Sequence, residues 1–282
     1  MSVQAAQTVY RQEFVTGFEQ LQTLLRDSTT TEVVVKGSSA IFCVADSGGA
    51  TAVTRGANGK IPSRANSSTQ NTATLVEWHD KPIITDFDAF ASQGNQRAVM
   101  QKTSMGVINR KIDSDIITAL DATSNTLTTA GTATMSLVMK AKTILGNNEV
   151  PWDSNLYGLV TPAFEAYLMQ IPEFASADYV DSKPMAGADY SWADRPKMRE
   201  WAGVKWIVHP NLSGKGTSAE KCFMYHKSAI GHACDKATMD VKLGYNDEDH
   251  YWFARHSVYM GSKLLQAAGV VEIQHDGSAY TV

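Results

Sequence analysis

Residues 45–74 read ADSGGATAVTRGANGKIPSRANSSTQNTAT, and they precede a predicted helix at residues 95–121. The stretch is rich in Gly, Ser, Thr and Asn and almost empty of large apolar residues. Its only charged side chains are those of Asp46, Arg55, Lys60 and Arg64. Such a composition cannot bury a core of its own, and an unstructured loop of this length is unusual inside a compact domain. The sequence therefore predicts either a disordered linker or an arm that becomes ordered against another subunit.

The predicted helix at residues 95–121 is amphipathic. Apolar side chains recur at helical spacing at Ala98, Met105, Ile108, Ile112, Ile116 and Leu120. Charged side chains fall mostly elsewhere around the helix, at Arg97, Lys102, Arg110, Lys111, Asp113 and Asp115. This pattern predicts that one face packs against the protein and that the charged face stays in water.

Segments with β propensity flank the polar stretch on both sides. Before it, residues 32–35 and 40–44 are short β-prone runs separated by a turn signal at 36–38. After it, residues 75–79 and 82–84 combine alternation with β-branched side chains. We therefore expect the polar stretch to form part of a long two-stranded excursion.

The remainder of the chain alternates helices and strands, which is a mixed α+β pattern. The predicted order is a connector at 126–134, a helix from Leu137 to Leu145, a strand at 156–160, a helix after Thr161 and Pro162, and a strand at 203–209. Two strand pairs follow in the prediction, 222–227 with 229–234 and then 251–260 with 263–273, the latter as a closing hairpin.

Composition limits the class of protein. With 282 residues and 43% hydrophobic content, the chain can bury a sizeable core. Its net charge of -4 argues against a nucleic-acid-binding module, because such modules usually carry a concentrated basic face. The cysteines, Cys43, Cys222 and Cys234, have no framework spacing and indicate a reducing compartment. Without a signal-peptide pattern or a long apolar run, we expect a soluble protein made in a cytoplasm, with no membrane contact.

Patterns for metal binding and catalysis are weak. Cys222, His226, His232 and Cys234 are zinc-ligand types, but their spacing matches no familiar zinc motif, and ordinary strand residues are the better interpretation. Lys215 lies in a Gly-rich segment that lacks the phosphate-loop pattern, which favours a flexible turn.

A second group of polar residues, Asp247 to His250, resembles a cation or acid-base cluster, although a solvated turn is the simpler interpretation. A metal-dependent hydrolase would need His226, His232 and residues 247–249 to converge in one pocket. No nucleophile motif supports catalysis. We therefore predict that the chain is not an enzyme and has no cofactor and no metal.

The order of these elements resembles the major capsid protein of tailed bacteriophages, which has the HK97-type fold. The most specific local similarity is RKIDSDIITAL at residues 110–120, which is similar to the spine helices of several phage capsid families. Three further stretches are similar to other parts of that fold: LYGLVTPAFEAYLM at 156–169, WAGVKWIVHPNL at 201–212 and RHSVYMGSKLLQAAGVVEIQ at 255–274.

The resemblance implies an α+β, HK97-like capsid fold and a division of the chain into five parts. These are an N-terminal arm at 1–45, an extended E-loop at 46–92, a peripheral domain with the long spine helix at 93–150, an axial domain at 151–234, and return strands to the peripheral domain at 235–282. Trp192, Trp201 and Trp206 would lie in the axial domain, either near the symmetry axis or in an ordinary core.

The resemblance also implies the function and the partners. The chain would be a structural subunit of an icosahedral bacteriophage head, assembled in the bacterial host cytoplasm, that forms pentamers and hexamers around the double-stranded DNA genome. Further partners would be a portal protein and a separate scaffolding protein, or no scaffold, because the chain begins almost directly at the arm. The alternative within the same fold is an encapsulin-type nanocompartment shell.

Two sets of residues are expected to contact neighbouring subunits. In the E-loop, Arg55, Lys60 and Arg64 would meet acidic groups on a neighbour, or remain solvated loop charges. Lys60 would make an ordinary ionic contact rather than the covalent cross-link found in some members. In the N-terminal arm, the apolar stripe of Tyr10, Phe14 and Phe18 would dock on a neighbour or fold back on its own subunit.

Overall fold

A computed structural model describes residues 23–34, 36–87, 96–175, 199–235 and 240–280 of the chain. The helices are α1 (Gln96–Leu120), α2 (Met135–Asn147), α3 (Pro162–Leu168) and α4 (Pro172–Ala175). The strands are β1 (Thr30–Val33), β2 (Ser39–Asp46), β3 (Ser67–Thr74), β4 (Val76–Asp80), β5 (Ile83–Thr85), β6 (Thr126–Gly131), β7 (Leu156–Val160), β8 (Arg199–Trp201), β9 (Val204–Val208), β10 (Glu220–His226), β11 (Ile230–Cys234), β12 (Asp240–Asn246), β13 (Tyr251–Leu264) and β14 (Val270–His275).

The strands form two six-stranded sheets and one separate hairpin. Sheet 1 has the order β1-β11-β13-β12, and β4 and β5 also pair with the long strand β13. Sheet 2 has the order β6-β14-β10-β7-β9-β8. The hairpin consists of β2 and β3, paired antiparallel from Ser39 opposite Thr74 to Asp46 opposite Ser67.

The long helix α1 lies between the two sheets and supplies a shared core. Its residues Ile108, Ile112 and Ile116 are buried, as the apolar periodicity predicts. They belong to a cluster that also contains Phe223 of sheet 2 and Met260 of sheet 1. Because burying each such side chain contributes about 1.5–3 kcal/mol, the helix is a main element that holds the two sheets together.

A second core lies where α2 and α3 cover sheet 2. Phe164, Trp206 and Met224 are buried there. Thr161 caps α3 by accepting a hydrogen bond from the Phe164 N–H at 3.1 Å, and Pro162 occupies the first turn. The predicted strand at 156–160, the cap and the proline are therefore confirmed. Trp201 and Trp206 are buried in this core, whereas Trp192 lies outside the described residues.

The prediction of a connector at 126–134 is wrong. Residues Thr126–Gly131 form β6, which pairs in parallel with β14 at the edge of sheet 2. Thr and Ser residues favour loops locally, but β-branched threonines also suit a strand when a partner is present. The position of β14 therefore decided the conformation of this segment.

Both predicted strand pairs in the last third of the chain are wrong in their pairing. β10 belongs to sheet 2 and β11 to sheet 1, and the same separation holds for β14 and β13. The chain crosses between the sheets at two 3-10 turns, Lys227–Ala229 and Ala267–Gly269. These turns touch, since a Cβ atom on Gly269 would lie 2.9 Å from the Ala229 Cβ. Short connections resemble hairpin turns in sequence, but here they change sheets.

Each sheet draws strands from more than one of the five predicted parts of the chain. Sheet 2 combines strands of the 151–234 part with β6 and β14, and sheet 1 contains β11 from that same part. The five-part division remains a prediction, and the strand pairing does not follow its boundaries.

Candidate intersubunit surfaces

The excursion hairpin, which we define as β2, β3 and the loop at 47–66, carries a continuous exposed segment. Every residue from Ala45 to Gln70 is exposed. The ladder between the strands continues to Asp46 and Ser67, so the hairpin keeps a defined register beyond the point where burial ends. The prediction placed the returning strand at 75–79, whereas it already begins at Ser67 inside the polar stretch. Backbone pairing with β2 holds the part of this strand from Ser67 to Gln70, where all side chains are exposed.

The base of the excursion hairpin rests on sheet 1. Phe42 is buried and its ring lies directly over Gly231, where an added Cβ atom would come within 2.9 Å of the ring. The carbonyl of Thr74 approaches Gly261 so closely that an added Cβ would be 2.1 Å from the oxygen. The Asn71 side chain also donates a hydrogen bond to the Leu265 carbonyl at 3.3 Å. The base of the hairpin is therefore fixed, while its outer part is exposed among the residues that the structure describes.

The three basic residues of the predicted contact set lie along the outer loop. Arg64 donates hydrogen bonds to the Ser47 carbonyl at 3.2 Å and to Asn66 Oδ1 at 2.9 Å, which join the two ends of the loop. Lys60 closes a tight turn, because its carbonyl accepts the Gly56 N–H at 3.0 Å. All three side chains are exposed, and with one acid, Asp46, the hairpin tip has an excess of positive charge. Whether they contact a neighbour remains a prediction.

Two apolar side chains of the same loop were missed as contact candidates. Val53 is 63% exposed and Ile61 is 69% exposed, on either side of the turn at 56–60. Single exposed apolar side chains are common on protein surfaces. Here they are the only large aliphatic residues in a fully exposed loop, which makes them candidates for contact with a second copy of the chain. A search of the polar stretch for large aliphatic residues would have found them.

The predicted contacts of the N-terminal arm, Tyr10, Phe14 and Phe18, lie outside the described residues. The described chain begins just after them, and its first residues are held firmly. Leu25 is fully buried, and the Ser28 hydroxyl lies 2.6 Å from the hydroxyl of Tyr225. The main-chain N–H groups of Leu24 and Leu25 donate to Asp113 of α1.

The location of Asp113 corrects the sequence prediction for α1. The prediction placed this carboxylate mostly with the wet face, but it is fully buried. Asp115 is also engaged, since its Oδ2 accepts the Ser262 hydroxyl at 2.6 Å. A helical repeat separates apolar from polar positions, but it cannot show that a polar position faces a buried partner on another segment.

Buried histidines make further hydrogen bonds around α1. His256 Nδ1 lies 2.9 Å from Ser104 Oγ, and His232 Nδ1 lies 2.9 Å from Ser262 Oγ. Burial lowers the pKa of His232 to about 4, and the nearby positive charge of Arg26 acts in the same direction. Burial also lowers the pKa of His256. Both imidazoles are therefore neutral at neutral pH and serve as hydrogen-bonding groups within the core.

The predicted zinc-ligand types are distributed over separate surroundings. Cys222 is buried in sheet 2, and burial raises the pKa of its thiol to about 12. His226 contacts Asp153 at 2.9 Å and Ser228 at 2.7 Å, whereas His232 contacts Ser262. Among the residues that the structure describes, no group of three or more His, Cys, Asp or Glu side chains could hold a metal ion.

The remaining polar candidates are surface features. Residues 247–250 form the turn between β12 and β13 and are exposed, as a solvated turn requires. Lys215 is exposed in a turn between β9 and β10, in which Gly214 and Gly216 have positive φ angles. None of the described helices combines the length and the apolar character needed to cross a membrane.

Comparison with known proteins agrees with this architecture. A family model described as phage capsid protein matches residues 3–277. A solved structure from Mycobacterium phage Che8 is similar at 15% identity and a TM-score of 0.71, covering 94% of this chain and 96% of that chain. Gordonia phage Cozz is similar at 11% identity and a TM-score of 0.69, with 96% and 92% covered. The capsid of Ralstonia phage GP4 is similar at 9% identity and a TM-score of 0.66, with 97% and 96% covered. No curated protein matches the chain.

Proposed function

Because the chain belongs to the phage capsid protein family, we propose that copies of it form the pentamers and hexamers of an icosahedral head around double-stranded DNA. The chain is a structural capsid subunit with an HK97-like fold, and its place is the virion capsid. The match to a phage capsid family does not favour the encapsulin alternative. A structural role of this kind needs no catalytic group, so we propose that the chain is not an enzyme.

The observation that carries the assembly proposal is the excursion hairpin. It is anchored at its base by Phe42 and Thr74, yet every residue from 45 to 70 is exposed. Within the part of the chain that the structure describes, this segment buries little surface, and contact with another molecule would bury more. We propose that it acts as the E-loop and lies on a neighbouring copy, with Val53 and Ile61 as its apolar contacts.

The proposed charged contacts of this loop follow from its excess of positive charge. Arg55 and Lys60 extend a positively charged tip toward the neighbour, while Arg64 closes the loop itself. Complementary charge orients association more than it strengthens it. We propose that the N-terminal arm adds a second contact through Tyr10, Phe14 and Phe18.

We also propose an assembly pathway, on the basis of the family resemblance. Subunits would assemble in the bacterial host cytoplasm with a separate scaffolding protein, and a portal protein would occupy one vertex. DNA would be enclosed without sequence specificity, and the net charge of -4 predicts that the shell does not bind it strongly.

The test compares loop variants in full-length protein. Val53→Ser combined with Ile61→Ser should raise the subunit concentration needed for shell formation, as measured by sedimentation and electron microscopy. The matched control is Val53→Ile with Ile61→Val, which keeps the apolar surface and should assemble normally. Unchanged assembly of the serine variant would contradict the proposed loop contact. A protein that stays monomeric or dimeric under all conditions, even with a scaffold present, would contradict the assembly proposal itself.

A further inference from the structure

We propose that Asp113 of α1 is the positioning residue of the N-terminal arm, fixing where the arm leaves its subunit and hence which surface of a neighbouring copy it reaches. This inference rests on the proposed function, in which the arm contacts a neighbour.

Asp113 joins the start of the described chain to the middle of α1. Its side chain is 0% exposed. Oδ2 accepts the N–H of Leu24 at 3.1 Å, and Oδ1 accepts the N–H of Leu25 at 3.3 Å. The two oxygens therefore bind consecutive backbone groups, which defines both the position and the direction of the chain at this point.

A third donor comes from the segment after β9. His209 Nε2 lies 3.4 Å from Asp113 Oδ2, and His209 is itself buried. Its other ring nitrogen, Nδ1, accepts the N–H of Asn211 at 3.1 Å. Because Nδ1 acts as an acceptor, the proton of a neutral imidazole lies on Nε2 and points to Asp113. The carboxylate, which can only accept hydrogen bonds, thus receives donors from two separate segments.

The chain next to these contacts is also held, which fixes the direction of the backbone at Leu24 and Leu25. Leu25 packs in the shared core with Ile108 and Ile112. Three residues further on, the Ser28 hydroxyl contacts the Tyr225 hydroxyl. The apolar contact alone would allow several backbone orientations, since hydrophobic packing has no direction. The hydrogen bonds to Asp113 select one orientation.

Burying a carboxylate is costly, and an apolar residue of similar size is often no less stable. Buried polar groups are known in some proteins to select one arrangement among several. At this site the selected arrangement is the backbone at Leu24 and Leu25, from which the arm begins.

The test uses full-length chains and the critical subunit concentration for shell formation. Asp113→Asn keeps the size of the side chain but replaces one acceptor oxygen with a donor. We expect it to raise the critical concentration about tenfold or more, equivalent to the loss of one hydrogen bond to a charged group. Asp247→Asn, the same change at an exposed position in the turn between β12 and β13, is the control and should have little effect.

The decisive comparison combines this change with an arm variant, Phe14→Ser with Phe18→Ser. If Asp113 acts through the arm, the triple variant assembles no worse than the arm variant alone. Independent, multiplying losses would overturn the inference while leaving the arm contact intact. If the arm variant alone assembles normally, the proposed arm contact is wrong and the inference falls with it, whereas the loop contact is judged separately by the Val53 and Ile61 variants.

A second substitution covers the case in which Asp113→Asn does not fold. His209→Leu removes the donor to Asp113 together with the acceptor of the Asn211 N–H, and it should raise the critical concentration with the same dependence on the arm. His209→Gln keeps both an N–H donor and an acceptor oxygen and should restore assembly. Hydrogen exchange provides the direct readout. The Leu24 and Leu25 amides should exchange faster in His209→Leu than in His209→Gln, and equal exchange would contradict the proposal.

Discussion

The ring of Phe42 lies on the backbone of Gly231, and a Cβ atom at Gly231 would be 2.9 Å from Cε2 of the ring. This contact joins the excursion hairpin to β11 of sheet 1. It is supported by Ala40 and Ala73, which are buried in the same small cluster. The position of the hairpin therefore requires a residue without a side chain at position 231 of the sheet beneath it.

Replacing Gly231 with Ala should destabilise the subunit by about 1–3 kcal/mol, because the Phe42 ring must move from its place. Urea unfolding of the unassembled protein measures this change. Gly131→Ala is the control, since an added Cβ there has no atom within 4 Å. Equal stability of the two variants would contradict the described packing of the hairpin base.

Gly261→Ala should be more disruptive than Gly231→Ala. The added Cβ would lie 2.1 Å from the Thr74 carbonyl oxygen, which is a backbone atom and cannot rotate away. We expect a loss of about 3 kcal/mol or more, at the upper end for overpacked sites, and displacement of β3 from β13. The unfolding free energy provides the first measurement. Faster hydrogen exchange in residues 67–74 than in β14 would identify the displaced strand, and uniform exchange would speak against it.

The stability of the subunit should fall as the pH falls from about 6.5 to about 4. His232 has a folded-state pKa of about 4, lowered by burial and by Arg26, while an unfolded histidine titrates near 6.5. In this window the unfolded chain binds more protons than the folded chain, so stability rises with pH and is lost on acidification. The total effect of this group is about 3 kcal/mol. His256, whose pKa is lowered in the same direction, adds to it.

Unfolding in urea across this pH range tests the assignment. His232→Gln should reduce the dependence of stability on pH between 4 and 6.5. His79→Gln is the control because His79 is exposed in β4. The assignment to His232 is wrong if both variants keep the slope of the unaltered protein.

Cysteine reactivity should differ between the three thiols of the folded subunit. Cys43 is exposed, whereas Cys222 and Cys234 are buried. Burial raises the pKa of Cys222 to about 12, which leaves almost no reactive thiolate at pH 8. Iodoacetamide should therefore label Cys43 first, and mass spectrometry should find three labels only after denaturation. Rapid labelling of Cys222 in the folded protein would contradict its location in sheet 2.

Periodicity in the sequence was sufficient to identify the long helix and several strands. The helix α1 begins and ends within one residue of the predicted range, and Ile108, Ile112 and Ile116 lie in the core as expected. The strand at 156–160 and the cap at Thr161 were also predicted correctly. These features are local, because spacing and capping depend on residues a few positions apart.

The pairing partners of the strands could not be predicted from local sequence patterns. Residues 126–131 became a strand only because β14 lies beside them, and β13 and β14 separated into different sheets despite their short connection. The order of the elements carried the family resemblance, but it did not give these pairings. A strand pattern describes which residues alternate, and it carries no information on which other strand completes its hydrogen bonds.

The sequence by itself determined the exposed polar loop, the amphipathic helix and the phage capsid family, since composition, helical spacing and element order are written along the chain. Tertiary structure alone decided that Asp113 is buried, that it binds Leu24 and Leu25, and that Gly231 receives the Phe42 ring. These contacts join residues far apart in the sequence. Their strength depends on the loss of water and on the fit of atoms that meet only when the chain is folded.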